Sequence, residues 1–77
     1  QFYFHEIIGF HVIDEIHGDV GVLVYINDKA AQPMFEIENG DVEIFIPMID
    51  DFIKKIDREN KQIHVKTPEG LIDLYLN

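Results

Sequence analysis

Turn-forming residues interrupt this chain so often that no segment is left long enough for a substantial helix. Breaks fall at Ile16-His17-Gly18-Asp19, Asn27–Gln32, Asn39-Gly40, Pro47–Asp51, Arg58–Lys61 and Pro68-Glu69-Gly70. That is the roughly 8–12-residue spacing of small all-β folds. Pro47 cannot donate to a sheet ladder, so the segment Glu43-Ile44-Phe45-Ile46 must stop or bend there. Pro68-Glu69-Gly70 turns the chain back toward Leu71, Ile72 and Leu74, which are expected to pack.

Between the breaks, alternation and β-branched residues predict strands at Phe10–Asp14, Val20–Ile26, Met34–Glu38, Val42–Ile46, Ile53–Asp57 and Gln62–Thr67. Glu6-Ile7-Ile8-Gly9 reads as a short helical turn before the first of these. Val20–Ile26 is apolar on both faces and is expected to be central, with Gly21 marking a bulge or a close backbone approach. Phe35 and Ile37 share one face and Glu36 and Glu38 the other. Asn39-Gly40 is the strongest hairpin signal. Ile63 and Val65 are expected inward, with Gln62, His64 and Lys66 outward. The expected fold is all-β: a small closed or nearly closed barrel of about six short strands, residues 1–77 forming one domain.

The chain has 77 residues, no cysteine, and 15 acidic against 6 basic residues, a formal charge of −9. No disulfide or thiolate–metal staple can hold it, which fits a reducing compartment. No apolar run approaches the roughly 20 residues of a membrane helix. Because the chain starts at Gln1 rather than Met, a longer protein of which this is one part is expected. The acidic balance argues against strong direct binding of nucleic acid by this domain alone. It suits a basic protein partner, since complementary fields speed encounter, although acids also serve solubility.

Catalytic chemistry has little to use. There is no serine, and the single threonine, Thr67, precedes Pro68 as a turn residue. His5, His11, His17 and His64 lie six or more residues apart, unlike the close pairs of metal sites, so no metal and no cofactor is expected. Asp14-Glu15, Asp50-Asp51 and Glu36 with Glu38 are the visible carboxylate pairs; Glu36 and Glu38 read as a solvated outer face rather than an acid/base pair. The consecutive aromatics Phe2, Tyr3 and Phe4 either plug the barrel or anchor a protein contact.

The order of these motifs resembles a known family. An aromatic-Tyr-aromatic start is followed by Ile7-Ile8-Gly9, Gly18-x-x-Gly21, Glu43-x-x-Ile46-Pro47, Ile53-x-x-Ile56-Asp57 and Pro68-Glu69-Gly70-Leu71-Ile72-Asp73-Leu74. Together they resemble, over essentially the whole chain, the C-terminal PRC-barrel domain of the ribosome maturation factor RimM. The resemblance implies the second domain of a two-domain cytoplasmic protein that is not an enzyme. It implies a module binding the nineteenth small-subunit ribosomal protein and the small ribosomal subunit during 16S rRNA processing and maturation of the subunit head. The family's aromatic pair at the domain start matches Phe2 and Tyr3, with Phe4 beside them, although Phe2 stands where tyrosine is usual. The candidate partner-binding residues are therefore Phe2, Tyr3, Phe4, Asp50 and Asp51. The loop Asn27–Gln32 departs from the family's usual Gly-Ala-x-Asp-Leu run. A PRC-barrel docking module unrelated to the ribosome is the alternative.

Overall fold

A computed structural model describes residues 4–76. One turn of helix, α1 (Phe4–Ile7), precedes six strands: β1 (His11–Asp14), β2 (Gly18–Asn27), β3 (Met34–Asn39), β4 (Val42–Pro47), β5 (Ile53–Asp57) and β6 (Gln62–Val65). A second turn of helix, α2 (Asp73–Leu76), follows. All six predicted strands are present, with ends shifted by a residue or two; β6 stops at Val65 and Phe10 precedes β1.

The strands form one sheet in the order β4-β3-β2-β1-β6-β5. All neighbours are antiparallel except β1 and β6, which run parallel from His11 beside Gln62 to Asp14 beside Val65. The expected closed or nearly closed barrel is corrected in one respect. Among the described residues β4 and β5 are edges, with no ladder joining them, so the hydrogen-bonded sheet is open. Pro47 ends edge strand β4, where its missing donor costs least.

The sheet nevertheless wraps one core. Val12, Val20, Leu23, Phe35, Ile37, Ile44, Ile46 and Ile63 are fully or almost fully buried, and Ile7 and Ile72 close it from α1 and the turn before α2. Each such side chain contributes on the order of 1.5–3 kcal/mol by leaving water. The burial of Phe35, Ile37, Ile44, Ile46, Ile63 and Val65 follows the alternation read from the sequence.

β2 is central and twice bulged. Val12 pairs with Gly21 but Ile13 with Asp19, leaving Val20 unpaired and buried. Leu23 pairs with Ile37 but Tyr25 with Glu36, leaving Val24 unpaired. These slips put Val20, Leu23 and Ile26 inside at three-residue spacing and send Val24 and Tyr25 outward together. The second apolar face of β2 is thus exposed surface. Gly21 makes the close approach expected of it: a Cβ there would stand 2.3 Å from the Glu38 carbonyl oxygen.

Asn39 pairs with Val42, so the β3–β4 turn is centred on Gly40-Asp41, with Gly40 at φ +60°. Gly at the first central position is the two-residue hairpin solution that matches strand twist. Asn39 instead donates from Nδ2 to the Val20 carbonyl at 3.1 Å, binding the hairpin to the β2 bulge. At the other end of the chain, Leu74 is 78% exposed, not packed as expected. The one-turn α2 carries its inward side on Tyr75, whose ring meets Phe45 edge-on at 6.1 Å between centroids.

Candidate functional site

The only buried charged side chain among the described residues is Asp14, at the end of β1. Its Oδ2 accepts the backbone N–H of Ile16 and of His17, each at 3.0 Å, so the β1–β2 turn folds around the carboxylate. Its Oδ1 accepts the Thr67 hydroxyl at 2.8 Å, tying in the segment that leaves β6. His17 completes the arrangement: Nδ1 lies 3.1 Å from Asp14 Oδ2 and Nε2 lies 2.8 Å from Asp73 Oδ1 on α2. Thr67 is thus an anchor, where the sequence suggested only a turn residue.

The electrostatics follow from this geometry. Burial pushes the Asp14 carboxyl up, but the bonds from His17, Thr67 and Ile16 outweigh that and hold it at about 2. His17 is raised above its ordinary value, first by its bond to Asp73 and then by its bond to Asp14. A carboxylate on each nitrogen favours the cationic imidazole, and the Thr67 proton is given to Asp14, not to His17. The network is a clamp joining the β1–β2 turn, the end of β6 and α2.

The signs of its pH dependence are opposite. Asp14, lowered from 3.8 to about 2, stabilises the fold above pH 4 and loses that contribution as pH falls through 2, roughly 2 kcal/mol in all. His17, raised from 6.5, contributes fully below pH 6.5 and loses its contribution as pH rises through its folded value. Urea midpoints measured across pH should therefore fall at both extremes, and Asp73→Asn should move the His17 NMR titration back toward the ordinary value. An unchanged His17 titration in that variant would sever the α2 contact from the shift.

Of the predicted partner-binding residues, the structure places Phe4, Asp50 and Asp51. Phe2 and Tyr3 lie outside the described residues, and Phe4 opens α1. Arg58 Nε donates to Glu6 Oε1 at 3.2 Å, setting α1 beside the β5–β6 turn. Asp50 and Asp51 are exposed but precede β5 at its opposite end. Beside α1, sequence reasoning missed an apolar surface: Ile8 (42% exposed) and Tyr25 (45%) border a shallow cleft with His5 and Ile26. The signal was present in the two apolar faces of Val20–Ile26. Asp14 had a signal too, in its place just before a turn, where an aspartate caps the following N–H groups.

Acids crowd the far side of the sheet. Glu38 and Glu43 are exposed and sit directly opposite across β3 and β4, and Asp41 is exposed at the turn beyond. No ion pair to these three occurs among the described residues. Nor is any group of three or more His, Asp or Glu among the described residues placed to hold a metal ion. No helix among them is long and apolar enough to cross a membrane.

With that geometry, residues 4–71 match the model of the RimM PRC barrel domain. The chain belongs to the RimM PRC-barrel family. Relatives named ribosome maturation factor RimM are 58% identical over 76 residues in Christiangramia forsetii and in Flavobacterium psychrophilum, covering 99% of this chain and 43% and 44% of theirs. One from Bacillus pumilus is 40% identical over 74 residues, covering 95% of this chain and 42% of its own. The chain thus spans less than half the length of the curated relatives it matches. A crystal structure of a RimM 16S ribosomal RNA processing protein from Pseudomonas aeruginosa superimposes with a TM-score of 0.75 over 87% of this chain and 44% of that one. At 21% identity, that likeness concerns the fold. The RimM reading made from motif order therefore holds, and so does the all-β six-stranded fold.

Proposed function

We propose that this domain is the protein-binding module of a ribosome maturation factor. In this reading it engages a cationic small-subunit ribosomal protein, the nineteenth, in the cytoplasm during 16S rRNA processing and maturation of the subunit head. The match of residues 4–71 to the RimM PRC barrel domain carries the reading. Two surface features support it. The exposed Ile8, Val24 and Tyr25 beside α1 offer the apolar anchor that protein interfaces need. The acids Glu38, Asp41 and Glu43 offer the field that attracts a cation-rich partner.

The opposed Glu38 and Glu43 lend weight to a partner. Like charges directly across a ladder are destabilising, by a few tenths to about 1 kcal/mol. A cationic partner relieves that repulsion. Glu43→Gln should therefore raise thermal stability slightly and weaken partner binding, opposite signs that solubility alone does not predict. Titrating the chain with the nineteenth small-subunit protein should give binding that weakens as salt rises. Absence of salt-sensitive binding would refute the proposal, and co-sedimentation with small subunits separates it from a docking role elsewhere.

A further inference from the structure

The domain's charge is polarised along the chain in a way its net value hides. Residues 53–66, the β5–β6 hairpin and Lys66 after it, carry five of the six lysines and arginines and two of the fifteen acids, a formal +3. The remaining residues hold one cation, Lys29, and thirteen acids, a formal −12. The hairpin lies at one edge of the sheet and the acidic β3–β4 hairpin at the other.

The fold also concentrates the hairpin's charge on one face. Ile53 pairs with Val65 and Lys55 with His64, so Lys54 is an unpaired bulge residue. A bulge breaks the alternation that would otherwise send adjacent side chains to opposite faces. Lys54 accordingly borders the same surface cleft as His64, whose ladder partner is Lys55; both lysines are exposed, and the β1 end of that cleft carries Asp14 and Glu15. Lys66 follows on the same side of β6, 60% exposed and only 3.8 Å from an equally exposed Glu15. Among the described residues, Lys54, Lys55 and Lys61 make no ion pair. His64 donates from Nε2 to Gln62 at 3.1 Å, leaving a polar, cation-rich strip.

We propose that the outer face of the β5–β6 hairpin is a phosphate-contacting surface for RNA. Lysines that reach out as point charges suit a phosphodiester backbone. No large exposed hydrophobic lies within residues 53–66, so this face lacks the anchor a protein partner requires. The inference extends the ribosomal reading above by adding a second contact. The acidic side takes the cationic protein and the hairpin touches RNA, which joins the two without strong RNA binding by the domain.

The polarity gives a distinctive salt response. The domain is 31 × 29 × 25 Å. At about 0.1 M salt the screening length is about 10 Å, so RNA at the hairpin feels only nearby acids such as Glu15; at about 0.01 M it is about 30 Å and the whole −12 field repels. Affinity for a fluorescein-labelled RNA stem-loop, measured by anisotropy, should peak at intermediate salt and fall on either side. Contact shifts in amide NMR spectra should be confined to residues 53–66. Lys54→Gln with Lys55→Gln should lower the high-salt slope of log affinity by about 2, while Lys29→Gln changes nothing. The same variants titrated with the nineteenth small-subunit protein should keep their affinity. Wild-type RNA affinity in the double variant would overturn the inference, above all if that variant newly self-associates, since the lysines would then only guard an exposed edge. RNA shifts spread over β3 and β4 would overturn it as well. Lysine-dependent RNA binding with no binding of the ribosomal protein would leave this surface standing and remove the protein-binding reading alone.

Discussion

Gly21→Ala is expected to remove a third or more of the domain's stability, about 4 kcal/mol. Two costs coincide there. The residue holds φ +136°, a conformation that L side chains rarely adopt. The added Cβ would meet the Glu38 carbonyl oxygen at 2.3 Å and its carbon at 2.9 Å. Both are backbone atoms of β3, so no side chain can swing aside. Backbone strain and forced strand displacement together cost about 4 kcal/mol. A domain of this size has about 4–11 kcal/mol in total. Gly40→Ala is the matched comparison, because Gly40 also has positive φ but nothing within 4 Å of its missing Cβ. It should lose only about 1 kcal/mol. Thermal and urea unfolding of the two variants decide the matter. Equal losses would mean that strain, not the contact with β3, makes Gly21 necessary.

The second large effect is expected at Asp14. Asp14→Ala strips the partner from the N–H groups of Ile16 and His17, the Thr67 hydroxyl and one side of the His17 imidazole. Losing the bonds that a buried carboxylate accepts leaves its donors unpaired, at about 1–3 kcal/mol for each that water does not reach. Asp14→Asn keeps the shape but not the charge, and turns a donor toward groups that are themselves donors, so it should also lose stability. Thr67→Val removes one bond and should cost roughly 1 kcal/mol. Hydrogen exchange gives an independent reading: in Asp14→Ala, amides of α2 should exchange faster, since among the described residues the Asp73 carboxylate bonds only to His17. Unaltered exchange in α2 alongside lost stability would show that the clamp does not reach the helix.

These two residues mark where sequence reasoning succeeds and where it stops. Gly21 was legible, because a glycine inside a β-branched run has few reasons to be there. Strand interiors were legible for the same local reason: Phe35, Ile37, Ile44 and Ile46 alternate, and alternation is a property of neighbours. Asp14 was half legible. Its turn-capping role is local, but its bonds to Thr67 and, through His17, to Asp73 join residues far apart in sequence. Thr67 was therefore read as a turn residue. Leu74 was misplaced because a one-turn helix has too few residues to show a period, and Tyr75 took the inward side. Whether β4 meets β5 depends on curvature summed over the sheet, which no short motif states. The two bulges of β2 explain why an apolar outer face, natural in a covered strand, ends up exposed at Val24 and Tyr25.

The parallel pairing of β1 with β6 also dictates the order of assembly. β2, β3 and β4 form a meander of neighbours in sequence, and β5 and β6 form a hairpin, so both can close with short loops. His11 meets Gln62 only when nearly the whole chain is available. Loop-closure entropy must be met before that long-range contact returns any stability, so it is expected to form late. As the chain emerges from the ribosome, β1 has one partner and one bare edge until β6 follows. The docking of that last hairpin brings Ile63 and Val65 into the core, which Ile72 then closes.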